Sequence, residues 1–171
     1  MRKWLMALAL VLPAAAPAAA QTVSPDALAV QEFIDRAREP CKTQPAQVCV
    51  DIGFWFAASD PDRGLSLDDV VLLRQRLGAW FQDYQGNLTP QARTGFGLGF
   101  LLADGMTMQK LHGSFDSNGD GYVSQDELLA DVTLDERPLG QVLSDPNAVD
   151  RIGLANRLGL PPAMIQGLFQ Q

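Results

Sequence analysis

Residues 116–127 read D-S-N-G-D-G-Y-V-S-Q-D-E, and the interpretation of the whole chain depends on this stretch. It gathers carboxylate, amide, hydroxyl and carbonyl oxygens around one point, which is the donor set that a hard cation such as Ca²⁺ requires. Gly121 in its centre permits the sharp turn that a wrapped loop needs. The predicted calcium ligands are the side chains of Asp116, Asn118, Asp120, Ser124 and Glu127 and the backbone carbonyl of Tyr122.

Position by position, this stretch resembles an EF-hand calcium loop. In such a loop Ser124 acts through a water molecule and Glu127 supplies two oxygens, while Val123 forms a short strand with a sister loop. Ser124 also caps the next helix and directs Glu127 into its first turn. His112 departs from the apolar pattern of the flanking helices, and we expect its ring to fill a half-buried core position. The apolar residues that match that pattern are Leu111, Phe115, Leu128, Leu129 and Val132.

EF-hands usually occur in pairs, and the best candidate for a sister loop is residues 60–69, D-P-D-R-G-L-S-L-D-D. Asp60 and Asp62 resemble ligand positions 1 and 3, and Asp69 resembles position 12 with a side chain one methylene shorter than glutamate. Positions 5 and 7 have no counterpart on either side of Gly64. We therefore interpret residues 46–76 as a degenerate hand that pairs structurally, and its own calcium binding is left open.

The chain is similar to short secreted bacterial EF-hand proteins, some of which are grouped with the calumenin and reticulocalbin (CREC) family. The resemblance covers about residues 46–135, and CREC members carry more hands than this chain does. It implies calcium binding and no catalysis. Pro61 is similar to a proline of the lanthanide-binding lanmodulin loops, but Ser117 stands at that position in the stronger loop. We therefore expect calcium rather than a lanthanide.

The first twenty residues have the layout of a secretory signal peptide. A basic start at Arg2 and Lys3 is followed by an apolar run and by small residues that end in Ala18-Ala19-Ala20. This predicts cleavage near residue 20, a periplasmic or secreted protein, and no membrane contact after cleavage. The only two cysteines, Cys41 and Cys49, are then expected to form a disulfide, because exported proteins are oxidised.

The remaining pattern predicts an all-α protein with helices added at both ends of an EF-hand pair. Residues 21–45 hold the N-terminal helix, from its cap at Ser24 to Pro40, and the start of the disulfide loop. Residues 46–135 hold the pair, including one helix from Thr89 to about Phe115, which the glycines of 95–100 could divide. Residues 136–171 form a C-terminal helical segment, with a helix from Asp145 to Gly159 and a short one after Pro161.

Composition excludes several other classes of protein. The formal net charge is -7, whereas nucleic-acid binding needs a basic surface. The tail 151–169 has helix-turn-helix spacing, but residues 161–171 contain no lysine or arginine. One histidine and two cysteines rule out multi-histidine zinc sites and iron–sulfur clusters. No pair of acidic residues stands apart as a catalytic pair, so we expect no enzyme activity.

The predicted function is therefore calcium binding by an exported protein, with the ion mainly structural or buffered. The alternative is a calcium-dependent interaction protein that holds an unidentified periplasmic partner through an apolar helical surface. Such a surface would use methionine and aromatic side chains, because methionine adapts to different partners. The residues considered for it are Trp80, Phe81, Met106 and Met108, for which packing in the core is the competing interpretation.

Overall fold

The structure is a computed structural model, and it describes residues 23–161 apart from the side chain of Leu102. The chain is mainly helical over this range, as the all-α prediction requires. None of the helices described here combines the length and hydropathy of a transmembrane span. The predicted signal peptide and the helix expected after Pro161 lie outside the described residues. The elements are α1 Pro25–Thr43, α2 Ala46–Ala57, β1 Leu65–Ser66, α3 Leu67–Tyr84, a 3-10 turn Gln85–Asn87, α4 Pro90–Gly105, α5 Met108–Phe115, β2 Tyr122–Val123, α6 Gln125–Leu128, α7 Leu139–Ser144 and α8 Arg151–Leu158.

The first helix begins at the predicted cap and continues beyond the predicted end. The hydroxyl oxygen of Ser24 accepts a hydrogen bond from the first turn, which satisfies an otherwise free N–H group. The prediction that Pro40 ends the helix is wrong, because α1 runs on to Thr43. Proline removes its own N–H donor and crowds the preceding turn, but it keeps a carbonyl that can accept a hydrogen bond. Its carbonyl still accepts a hydrogen bond from the N–H of Gln44 at 2.9 Å, so the last turn closes normally.

A disulfide links the first two helices. Cys41 in the last turn of α1 is bonded to Cys49 in α2, and their Cα atoms lie 4.7 Å apart. This confirms the predicted pairing. The bond encloses the short connection between α1 and α2, so it holds the N-terminal helix against the first helix of the loop-bearing region.

The long helix predicted from Thr89 to Phe115 is in fact two helices. The chain leaves α4 at Gly105 and starts α5 after Thr107, whose hydroxyl oxygen accepts a hydrogen bond from the N–H of Lys110 at 3.1 Å. A threonine cap of this kind begins a new helix. The glycines of residues 95–100, where a division was considered, lie inside α4.

The C-terminal part of the described chain differs most from the prediction. The helix expected to run from Ser124 to Val132 is only the four-residue α6, because Val132 instead forms an antiparallel bridge with Val149. The helix predicted from Asp145 begins only after Asp150, and the unpredicted α7 precedes it. Its predicted end is correct. A glycine at position 159 adopts φ +65°, the left-handed conformation that terminates many helices.

Three clusters of buried apolar side chains hold these elements together. One joins α1 to α3, and another joins α2 to the region of α7. The third lies beneath the two short strands and consists of Phe54, Ala58, Leu65 and Val123. The strands are antiparallel, with Leu65 opposite Val123, so this cluster places the segments before α3 and α6 side by side.

Candidate functional site

Residues 116–127, here called loop 116–127, connect α5 to α6. The N–H of Asp116 donates to the carbonyl of His112, which ends α5. At the other end Ser124 caps α6, and its hydroxyl oxygen accepts the N–H of Glu127 at 3.2 Å. The Glu127 carboxylate in turn accepts the N–H of Ser124 at 3.0 Å. The predicted cap is therefore present, and both ends of the loop are fixed by helix termini.

Acidic and amide side chains inside the loop hold its backbone in a tight turn. One oxygen of Asp116 accepts the N–H of Asp120 at 3.2 Å, and the other accepts the N–H of Gly121 at 3.0 Å. The side-chain oxygen of Asn118 also accepts the N–H of Asp120, at 2.8 Å. Asp120 accepts the N–H of Tyr122 at 2.9 Å. Gly121 has φ +85°, as the predicted turn requires.

Glu127 closes the loop and is largely shielded from water, with 9% of its surface exposed. Its Oε1 accepts the N–H and the hydroxyl of Ser117, both at 2.9 Å, and the N–H of Asn118 at 3.1 Å. Its Oε2 accepts the N–H and the hydroxyl of Ser124, both at 3.0 Å. The N–H of Ser124 contributes most to lowering the pKa of Glu127 to about 2, against the opposing effect of burial. The carboxylate is therefore ionised at neutral pH.

The neighbouring loop has the same length but a different register from the one predicted. Ala58 ends α2 by donating its N–H to the carbonyl of Phe54, as Asp116 ends α5. Because Leu65 lies opposite Val123, the segment equivalent to loop 116–127 is residues 58–69, here called loop 58–69. The sequence-based alignment of Asp60 with Asp116 is wrong by two residues. In this register Ala58 corresponds to Asp116, and no position of loop 58–69 is missing.

Asp69 in loop 58–69 repeats the contacts of Glu127. It is buried and accepts the N–H and the hydroxyl of Ser59 at 3.1 and 3.2 Å. It also accepts the N–H and the hydroxyl of Ser66 at 2.9 and 2.7 Å. Burial raises the pKa of Asp69, but the hydrogen bonds from Ser66 and Ser59 outweigh burial and leave the pKa below its usual value. The two loops are therefore closed by equivalent carboxylate–serine contacts.

The other candidate ligands of loop 58–69 are arranged differently. Ala58 offers no side-chain oxygen and packs in the apolar cluster with Phe54. The next acidic residues along the loop are Asp60 and Asp62, and the side chain of Asp60 is exposed. Arg63 stands in the place of Gly121, and the positive φ occurs one residue later. The chain therefore makes its sharp turn at a different place from loop 116–127.

The two loops are in close contact. A Cβ atom on Gly64, which has φ +121°, would lie 2.6 Å from the carbonyl oxygen of Val123. The Nε2 atom of His112 is 3.0 Å from the carbonyl oxygen of Leu65, and 8% of the histidine surface is exposed. The expectation that His112 fills a core position is therefore confirmed. A larger residue at position 64 would clash with the backbone of Val123, and His112 adds a polar contact between the two loops.

The donor set of loop 116–127 consists entirely of oxygen atoms, which suits a hard divalent cation. The six predicted ligands lie in one continuous loop, and the carboxylates of Asp116, Asp120 and Glu127 all accept backbone N–H groups. Within residues 23–161, no group of three or more His, Cys, Asp or Glu side chains stands close enough together to hold a metal ion. The chemistry of the donors therefore fits calcium, but these three carboxylates do not converge on one point.

An apolar groove of about 520 Å³ lies between α3, α4 and α5. Met108 lines it, together with Phe96 and Phe100 of α4. Trp80 does not belong to an exposed surface, because it is 4% exposed and its indole N–H donates to the side chain of Gln31 at 2.9 Å. For Trp80 the competing interpretation, packing in the core, is therefore confirmed.

Comparison with known proteins finds no matching family model, no matching curated protein and no matching solved structure. The interpretation of this site therefore rests on the residues and contacts of the chain itself. The most informative of these contacts are the hydrogen bonds of Glu127 and the antiparallel pairing of the two loops.

Proposed function

We propose that the protein binds one calcium ion in loop 116–127 and that the ion is mainly structural. The observation that carries this proposal is the environment of Glu127, a shielded carboxylate that is ionised and hydrogen-bonded to both ends of the loop. A second carboxylate at Asp116 and a third at Asp120 belong to the same loop. Three carboxylates with amide, hydroxyl and carbonyl oxygens suit a moderate calcium affinity. Ion binding requires these carboxylates to converge further than they do here.

We interpret the two helix–loop–helix segments as an EF-hand pair in which only loop 116–127 binds an ion. The antiparallel pairing of Leu65 with Val123 and the equivalent contacts of Asp69 and Glu127 support this interpretation. In loop 58–69 the first ligand position is Ala58, so no ion is proposed there. The overall resemblance is to secreted bacterial EF-hand proteins of the CREC type. The disulfide and the predicted signal peptide favour a periplasmic or secreted location.

A structural role is favoured over a switch because calcium outside the cytoplasm is expected to exceed the dissociation constant of the site, so that the site stays filled. A site with a dissociation constant on the order of 10 μM lies within the range that such loops span. Calcium at about 100 times that constant would stabilise the folded state by roughly 2.7 kcal/mol, provided that the unfolded chain does not bind it. Most domains are stable by only about 5–15 kcal/mol, so the ion would be a substantial part of the total.

Calorimetric titration of chelator-treated protein tests the proposal directly. We expect one calcium per chain and little heat from magnesium at the same concentration, because magnesium loses its water ligands reluctantly. Thermal melts with calcium and with chelator should differ by several degrees, while the helix content at low temperature stays nearly constant. A titration without heat, together with identical melts, would exclude the proposed function.

A calcium-dependent interaction protein remains the second candidate, and the groove between α3, α4 and α5 is the observation that favours it. Sensor proteins of this kind expose an apolar surface when calcium binds. Binding of an apolar fluorescent dye should then change strongly on chelation while the melting temperature stays the same. The structural proposal predicts the opposite pattern, so one set of samples distinguishes the two.

A further inference from the structure

One side chain of the C-terminal helix contacts both sides of loop 116–127. The guanidinium of Arg157 in α8 lies 5.4 Å from the centre of the Phe115 ring, and Phe115 is the last residue before the loop. Its Nη1 donates to the backbone carbonyl of Glu127 at 3.3 Å. Its Nε donates to the carboxylate of Asp131 at 2.7 Å, just beyond α6. Arg157 therefore joins the helix that enters the loop to the segment that leaves it.

This contact is shielded from solvent. The side chains of Arg157 and Asp131 are 18% and 13% exposed, the lowest values for both partners among the ion pairs found in residues 23–161. An exposed ion pair contributes little, since water and salt screen it. In a shielded pair, removal of one partner leaves the other charge without compensation. Arg157 is therefore held by a shielded ion pair as well as by its hydrogen bond to Glu127.

The backbone around α8 brings this helix close to Asp131. The N–H of Asp150 donates to the carbonyl of Asp131 at 2.8 Å, and Val132 forms a bridge with Val149. A Cβ atom on Gly153 would lie 2.6 Å from the Asp131 carboxylate and 2.7 Å from that of Asp150, so a larger residue there would require these side chains to move. Two independent features, a shielded ion pair and a close helix contact, thus hold α8 against the exit of the loop.

We propose that Arg157 is a positioning residue for the calcium site, and that docking of α8 and binding of the ion are energetically coupled. This inference rests on the proposed function of loop 116–127. Arg157 holds the backbone of Glu127 at a set position relative to Phe115, so the two ends of the loop keep a fixed spacing as its carboxylates converge on the ion. Coupling between two sites is reciprocal. Calcium therefore strengthens the docking of α8 by the same factor by which docking strengthens calcium binding.

Substitution of Arg157 tests the first half of this coupling. We expect Arg157→Gln to weaken calcium binding about threefold to tenfold, in the range that residues linking two sites produce. Removal of a positive charge near a cation site would by electrostatics alone strengthen binding, so a weakening indicates lost positioning. Arg157→Lys keeps the charge and one donor group, so its calcium affinity should lie between that of the original protein and that of Arg157→Gln.

Arg74→Gln is a matched control. Arg74 also pairs with a carboxylate, that of Asp104 at 2.7 Å, and also lies over an aromatic ring, that of Phe100 at 4.2 Å. None of these residues belongs to loop 116–127. This substitution removes the same charge and should leave calcium affinity within about twofold of the original, because exposed pairs are screened.

Hydrogen exchange tests the second half. In the original protein, calcium should slow exchange of the α8 amides as well as those of the loop. In Arg157→Gln, calcium should protect the loop only. If Arg157 were merely structural, its replacement would speed α8 exchange equally with and without calcium, and this result would overturn the inference.

The outcomes separate this inference from the proposed function. If the original protein does not bind calcium, the proposed function is rejected and the coupling with it. If the original protein binds calcium and folded Arg157→Gln binds it equally well, only the coupling is rejected. Should Arg157→Gln fail to melt cooperatively, Gly153→Ala replaces it, because the added Cβ atom would crowd the Asp131 carboxylate and disturb its pairing while Arg157 is retained. The same expected and contradicting results then apply to Gly153→Ala.

Discussion

Loop 58–69 and loop 116–127 are closed by equivalent contacts but differ in the residue at their first position, which is Ala58 in one and Asp116 in the other. Asp69 and Glu127 are both buried, and each accepts the N–H and hydroxyl groups of two serines. Each carboxylate thereby ties the end of one helix to the start of the next. The comparison shows that closure of the loop does not depend on an acidic residue at its first position, because loop 58–69 is closed although Ala58 stands there.

The same comparison shows where the two loops diverge. In loop 116–127 the first residue is Asp116, whose carboxylate organises the following turn. In loop 58–69 the equivalent residue is Ala58, which packs in the apolar cluster beneath the strands. Ala58 is therefore part of the apolar core, whereas Asp116 forms hydrogen bonds within its own loop. We expect loop 58–69 to support its neighbour by packing, and the following substitutions test this difference in role.

The largest effect is expected at Gly64, where the two loops touch. Gly64→Ala would place a Cβ atom within 2.8 Å of two backbone atoms of Val123, at a φ of +121° that alanine rarely adopts. The strained backbone and the clash should lower the free energy of unfolding by about 2–3 kcal/mol in urea titrations. Gly95→Ala is the control, since Gly95 lies in α4 with nothing within 4 Å of the added Cβ. Equal stability of the two variants would show that the loops do not depend on this contact.

The next effect concerns ion affinity and contrasts the two closing carboxylates. Glu127→Gln keeps the shape of the side chain but removes a charge and one oxygen ligand, so the dissociation constant for calcium should rise about tenfold or more. Asp69→Asn should change calcium affinity much less, because Asp69 belongs to the loop without a first ligand. Calorimetric titration of both variants measures this contrast. Equal losses would assign an ion to loop 58–69 as well.

A smaller effect concerns the pH dependence of stability. The folded-state pKa of Asp69 lies below its usual value, so its contribution is present above about pH 4 and is lost as the pH falls through the folded-state pKa. Asp69→Asn should therefore cost about 1 kcal/mol at pH 7, the net contribution of one hydrogen bond, and less at pH 3. Urea unfolding in chelator at both pH values measures the difference. A cost that does not change with pH would contradict the charged-state argument.

Features that depend on neighbouring residues could be predicted from the sequence. The caps at Ser24 and Ser124 and the disulfide follow from residues close to each other in the chain. Loop 116–127 is of the same kind, because its donor residues and its turn glycine occur within one short stretch. Local patterns of this type are decided by a few hydrogen bonds and by backbone conformation, both of which the residue types indicate.

Features that depend on distant contacts could not be predicted. The register of loop 58–69 follows from the end of α2 and from the pairing of Leu65 with Val123, whereas the acidic residues alone favoured an alignment that begins at Asp60. In the same way, α6 ends early because Val132 pairs with Val149. The contact of Arg157 with loop 116–127 depends on where α8 packs in the fold. No local pattern carries that information.

The smallest effect is expected at Asp60, the residue that the sequence alone suggests as a first ligand. Its side chain is exposed, and the turn that it begins uses its backbone carbonyl, which accepts the N–H groups of Arg63 and Gly64 at 3.1 and 3.0 Å. Alanine keeps that carbonyl, so Asp60→Ala should leave the fold intact. The loss of one negative charge should weaken calcium binding in the neighbouring loop by less than about twofold, and added salt should remove even this difference because it screens exposed charges. Titrations at low and at physiological ionic strength measure both quantities. A loss that persists in salt, or that removes a second equivalent of calcium, would show that loop 58–69 binds an ion and that the two loops do not divide their roles.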